Sequence, residues 1–121
     1  MAKVVHFEIE SKDPEATLAF YRDVFGWQIT QMGEMEYWLV KTGENTEQGI
    51  NGAIMRGTED ALHTTDTISV ASIEEYLGKI EQAGGSTVTP VEEVPGNGLF
   101  AYCKDPQGVK FGVMQFFPSE A

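Results

Sequence analysis

Strict alternation opens the chain. In VVHFEIES, Val5, Phe7 and Ile9 fall on one side of an extended strand and Val4, His6 and Glu8 on the other, because successive strand side chains point to opposite faces. At Asp13 the period changes. Asp13-Pro14-Glu15 supplies a capping oxygen, a proline whose missing N–H is not needed in a first turn, and early negative charge. Leu18, Tyr21 and Phe25 then recur at helical spacing, with Phe20 and Val24 beside them. The pattern predicts a helix over Pro14–Phe25, stopped by Gly26. Strands are expected over Gln28–Met32 and Glu36–Lys41, separated by a turn at Gly33, and the segment GINGAIMRG closes the stretch.

The same order then returns. Thr65–Val70 is a strand candidate. Ser72-Ile73-Glu74-Glu75 fits a capping box, and Ile73, Leu77 and Ile80 form a helical stripe that Gly84-Gly85 ends. Strands follow over Ser86–Val91, Leu99–Cys103 and Val109–Phe117, separated by the turn compositions PGNG at 95–98 and DPQG at 105–108. Gly52-Ala53-Ile54-Met55 stands 60 residues before Gly112-Val113-Met114-Gln115, which suggests a duplicated unit. The expected fold is α+β within one domain, 1–121: two βαβββ modules, about 1–57 and about 64–118, joined by the polar linker MRGTEDALHT. A pseudo-twofold arrangement would form a cup-shaped sheet around a pocket, lined by the faces opposite the helices. Val5, Phe7 and Ile9 would pack on the first helix, leaving His6 and Glu8 toward the pocket.

Composition narrows the partners. With 8 basic against 19 acidic residues the net charge is −11, so nucleic acid and anionic membrane, which need a basic footprint, are not expected partners. No apolar run approaches a membrane span of about 18 residues, and the opening residues do not read as a signal peptide; a cytoplasmic location is the expectation. Cys103 is the single cysteine, which rules out an internal disulfide and a Cys-rich zinc site. It reads as a buried thiol. Neither a phosphate-cradling glycine loop nor a GxSxG elbow is present.

HFEIESKDPEATLAFYRDVFGW resembles the opening module of the vicinal oxygen chelate superfamily, which holds glyoxalase I, extradiol dioxygenases and bleomycin-type resistance proteins. GINGAIMR and DPQGVKFGVMQ resemble the closing strands of its glyoxalase-like branch. The resemblance covers nearly the whole chain and implies paired modules and a homodimer. It also implies a pocket for a small organic molecule, commonly with a divalent metal held at four positions on the first and last strands of each module. Carried onto this sequence, the first position is His6, the last-strand positions fall at Gly52 and Gly112, and the fourth falls near Thr65 or Thr67. Glycine has no side-chain donor, and a zinc site ordinarily takes at least three protein ligands. The expected cofactor set is therefore none, with His6 the ligand if a divalent metal binds.

Three roles stay open for His6: metal ligand, acid or base, and structural partner of Glu8. Glu8 shares its face and is the companion candidate. Arg56 reads either as a clamp for a ligand carboxylate or as a surface ion pair. His63 reads as a linker residue. Tyr102 and Met114 are candidate pocket walls, as are Tyr37, Trp38 and Phe100, with one of Tyr37 and Trp38 pointing inward. Glycines 52 and 112 either open room for a flat ligand or relieve crowding. Whether the chain is an enzyme stays open. An enzyme would be a lyase- or dioxygenase-related member rather than a true glyoxalase I, and the alternative is a binding protein that sequesters its ligand.

Overall fold

The computed structural model describes residues 2–58 and 62–118; residues 59–61 of the expected linker lie outside them. The chain divides into two compact units, His6–Thr65 and a second formed by 66 onward together with the first five residues.

The first unit follows the expected order. Strand β1 (Lys3–Ser11) leads to helix α1 (Pro14–Phe25), then β2 (Gln28–Gln31), β3 (Tyr37–Lys41) and β4 (Gly52–Arg56). Asp13 caps α1 by accepting the Ala16 N–H. Gly26 ends it in a left-handed conformation with its N–H on the Arg22 carbonyl. A buried hydroxyl pair, Ser11 and Thr17 at 2.7 Å, ties the strand end to the helix start. The sheet runs β2-β3-β4-β1, with β1 and β4 parallel and the other pairs antiparallel. Leu18, Val40 and Ile54 form its buried core, with Phe7, Ile9, Tyr21, Trp27, Ile29 and Trp38 packed around them.

The second unit contains β5 (Thr64–Ser69), helix α2 (Ile73–Gln82), β6 (Ser86–Thr87), β7 (Glu92–Val94), β8 (Gly98–Lys104) and β9 (Lys110–Phe116). Ser72 caps α2 as the capping box predicts, accepting the Glu75 N–H, and the Gln115 side chain accepts the Ile73 N–H. The single strand expected over 86–91 is broken. Pro90 has no N–H to give a ladder, so pairing with β8 stops at Thr87 and resumes at Glu92. The first and last strands, β5 and β9, are again parallel neighbours. Val70, Ile73, Ala101, Cys103 and Val113 make the core under α2. Burial and the nearby Glu81 carboxylate push the Cys103 thiol pKa up, which fits an inert thiol. No helix among the described residues is long and apolar enough to cross a membrane.

Register decides which face each residue occupies. Phe7 pairs with Gly52, Ile9 with Ile54, and Val40 also with Gly52. Gly52 therefore lies on the face packed against α1, not on the His6 face where it was expected. A Cβ on Gly52 would run into the Phe7 carbonyl oxygen and lie 2.7 Å from two Phe7 ring carbons. Its space belongs to Phe7. Gly52→Ala is expected to cost about 1–3 kcal/mol by overpacking. Gly78→Ala, on α2 with nothing within 4 Å of the new Cβ, should be neutral or add up to about 1 kcal/mol through helix propensity. Urea denaturation of both variants checks the contrast; a Gly52→Ala as stable as the parent would refute this packing.

Candidate active site

The face of β1 turned away from α1 carries His6, Glu8 and Glu10. Alternation along β1 puts them there, and on β3 it places Tyr37 on the same side, since Trp38 packs into the core under α1. The question left open by the sequence is thus decided for Tyr37. Its hydroxyl donates to Glu8 Oε2 at 2.7 Å and lies 3.2 Å from His6 Nε2. Three residues from two strands form one hydrogen-bonded chain.

Glu8 is only 7% exposed. A carboxylate so buried must be paired to be tolerated. His6 is half-buried, and that burial lowers its pKa below the ordinary histidine value, partly offset by the neighbouring Glu8 charge. The imidazole is accordingly held in its neutral form, with one ring nitrogen free to accept a proton, around neutral pH. A second contact lies further along the strand. The His63 imidazole pairs with the Glu10 carboxylate, and the His63 carbonyl accepts the Glu10 N–H at 2.9 Å. His63 is thus tied to β1 rather than free in a linker. Glu10 is a site residue the sequence reading passed over, although its alternation with Glu8 was available.

Arg56 does not join this site. It shares the Gly52 side of β4, pairs with Glu36 at 2.5 Å and donates to the Lys12 carbonyl at 2.6 Å. It helps line a depression of about 400 Å³ with Asp13, Glu15, Glu36 and Trp38. Three carboxylates there disfavour an anionic ligand. The ion-pair reading of Arg56 is the one its contacts match.

On strands β5, β8 and β9, Thr65, Thr67, Tyr102, Gly112 and Met114 do fall on one side, the one opposite α2, with Thr65 at the end of the first unit. Gly112 opens no room for a ligand: the Phe100 ring lies 2.6 Å from where its Cβ would stand and Thr67 Oγ1 3.1 Å. Phe100 meets Tyr102 edge-on at 4.7 Å, and Lys110 sits over the Tyr102 ring at 4.6 Å. Thr65 Oγ1 and Thr67 Oγ1 are buried without a hydrogen-bond partner among the described residues.

The two units also correct the assumed repeat. The helix caps Asp13 and Ser72 stand 59 residues apart, and on that spacing Glu8, paired with Ala53, corresponds to Thr67, paired with Gly112, both facing away from their helix; a spacing of 60 would match Thr67 with Phe7, which faces α1. The counterpart of Gly112 is Ala53, fully buried and facing away from α1. Like glycine, alanine supplies no donor. Among the described residues no three His, Cys, Asp or Glu side chains converge in a group able to hold a metal ion. The described residues do not fit the four-ligand metal set.

Comparison with known proteins follows the same lines. The model of the Glyoxalase/Bleomycin resistance protein/Dioxygenase superfamily matches residues 3–113. The chain belongs to this superfamily. "Putative glyoxylase CFP32" of Mycobacterium tuberculosis is 28% identical over 116 residues, as is its Mycobacterium bovis counterpart. The match covers 93% of this chain and 44% of those relatives, so the chain spans under half their length. Among solved structures, a variant Streptomyces coelicolor methylmalonyl-CoA epimerase in complex with 2-nitronate-propionyl-CoA superposes with a TM-score of 0.69 at 16% identity, covering 100% of this chain and 99% of that one. A superfamily member from Vibrio splendidus 12B01 gives 0.68 at 16% identity over 95% and 99%. At that identity these likenesses show the shared fold.

Two predictions follow from the buried polar groups. Because the folded-state pKa of His6 is lowered, the unfolded chain takes up its proton first as pH falls through the ordinary histidine range. Native stability is then lost on acidification and levels off below the folded pKa. His6→Gln should flatten the pH dependence of urea stability between about pH 7 and 5; an unchanged slope would contradict the burial of His6. Thr67→Val should stabilise by about 1 kcal/mol, since it removes a buried hydroxyl that makes no bond. A clear loss of stability in that variant would mean that the hydroxyl is paired.

Proposed function

We propose that this protein is a glyoxalase-family enzyme that moves a proton at an acidic carbon of a small organic molecule. Such a carbon lies next to a carbonyl, and its conjugate base is an enolate. The observation that carries the reading is the chain His6–Tyr37–Glu8 on the side of β1 turned away from α1. It combines a neutral imidazole with a phenol and a carboxylate, which are the groups that general acid–base catalysis uses. Partial burial keeps His6 unprotonated and ready to accept a proton. The structural likeness to an epimerase holding a nitronate, itself the conjugate base of a carbon acid, is consistent with this class of chemistry. The polar surface in the first unit and the absence of the four-ligand set turn the reading away from true glyoxalase I.

The test is exchange of carbon-bound hydrogen for deuterium in D₂O, followed by proton NMR. The compounds are hemithioacetals, 2-oxo acids and acyl thioesters with a hydrogen beside the carbonyl. The protein should catalyse exchange or conversion in at least one class, and His6→Gln should slow it by about 10²–10⁴-fold. A compound that binds tightly but is recovered unchanged and unexchanged would show a sequestering protein instead.

A further inference from the structure

We infer that Tyr37 is a positioning residue that fixes the tautomer of His6, so that Nδ1, not Nε2, is the ring nitrogen offered to the substrate. This inference rests on the acid–base reading above, and it assigns the working atom within it.

The argument is a count of protons. A phenol carries one hydroxyl hydrogen. In Tyr37 that hydrogen points to Glu8 Oε2 at 2.7 Å, and a carboxylate oxygen accepts. The Tyr37 oxygen keeps its lone pairs, so toward His6 Nε2 at 3.2 Å it can only accept. Two lone pairs facing each other would repel, hence Nε2 must carry the hydrogen. In a neutral imidazole only one nitrogen does. Nδ1 therefore holds the free lone pair, and it makes no hydrogen bond among the described residues.

The direction of the chain has a further consequence. Glu8 is 7% exposed and fixed on the same strand as His6, so it orients the Tyr37 hydroxyl, and the hydroxyl orients the imidazole. When Nδ1 accepts a proton, the resulting imidazolium still donates through Nε2 to the Tyr37 oxygen. Its charge then lies two residues along the strand from the Glu8 carboxylate, which favours the charged form. The proton stays on His6, and neither Tyr37 nor Glu8 has to change its own proton count. A carboxylate that orients and stabilises an imidazolium without taking its proton is a known way to build a base; here a phenol stands between the two.

The experiment is nitrogen-15 NMR of the imidazoles in the ligand-free full chain at neutral pH. The chain has two histidines, so His63→Gln assigns the signals. In the wild type His6 is expected as a single tautomer, with a directly bonded hydrogen on Nε2 slow enough in exchange to give a cross-peak, and with Nδ1 unprotonated. Lowering the pH should move the Nδ1 shift far more than Nε2. In Tyr37→Phe the cross-peak should disappear into solvent exchange and the share of the Nδ1–H form should rise. A wild type with hydrogen on Nδ1 would overturn the inference. So would a Tyr37→Phe protein, shown folded by its amide spectrum, in which the Nε2–H cross-peak is unchanged. Since no substrate is used, the outcome is separable from the proposed activity. A protein inert toward every carbon acid but holding this tautomer sinks the activity alone, and an active one with the opposite tautomer sinks this assignment alone.

Discussion

The parallel pairing of β1 with β4, with Phe7 opposite Gly52, is the constraint on which the rest of the first unit depends. It sends Phe7, Ile9, Val40, Ile54 and Trp38 toward α1 and leaves His6, Glu8, Tyr37 and Ala53 on the other side. A slip of one residue would exchange the faces of a whole strand. The alternatives are far apart in energy. Burying a side chain such as Ile54 or Val40 is worth about 1.5–3 kcal/mol each, and turning β1 over would instead press His6 and Glu8 against Leu18. An unpaired carboxylate in such a place costs several kcal/mol. Gly52 is the steric key to the register, because only a residue without a Cβ leaves space for the Phe7 ring at that crossing.

Against this well-sorted background Glu8 stands out. A chain with net charge −11 has many exposed positions for acids, and this one is almost fully covered. Replacing a buried ionic group by packed apolar residues often stabilises a protein, so stability does not account for it. The Tyr37 bond reduces the cost without removing it. Local rules broken in one place, within a structure that otherwise obeys them, are the usual mark of a working site. Arg56 makes the opposite case. It has the chemistry of a ligand clamp, but it is exposed, paired with Glu36 and anchored to the Lys12 carbonyl, and surface pairs of this kind contribute little.

Much of this was legible in the sequence, and the parts that were not share one cause. The period change at Asp13, the caps at Asp13 and Ser72, the stop at Gly26 and the faces of His6 and Glu8 all follow from local chemistry, and all are found. The break at Pro90 was also written locally and was overlooked. What failed needed register. The similarity of GAIM to GVMQ suggested a repeat of 60, whereas the helix caps and the faces of the strands match at 59, and one residue in a strand is a change of face. That single residue moved Gly52 and Arg56 out of the candidate site. The choice between Tyr37 and Trp38 stayed open for a related reason: in YWLV either aromatic could be the inward one, and only the packing of Trp38 on the Leu18 cluster decides.

The two units share a scaffold and differ in the side chains it carries. In both units the first and last strands are parallel neighbours and a helix covers one face. On the face turned away from the helix, His6 on β1 corresponds to Thr65 on β5, and Glu8 to Thr67. The first pair is charged or chargeable, hydrogen-bonded through a tyrosine and costly to bury. The second is neutral, buried and unpaired, beside a glycine whose space is filled by Phe100. A fold that keeps its frame in both halves while concentrating titratable groups in one has no symmetric use for its two sheets. The polar strand carries the hydrogen-bonded titratable groups, and the other sheet carries the Phe100–Tyr102 ring pair.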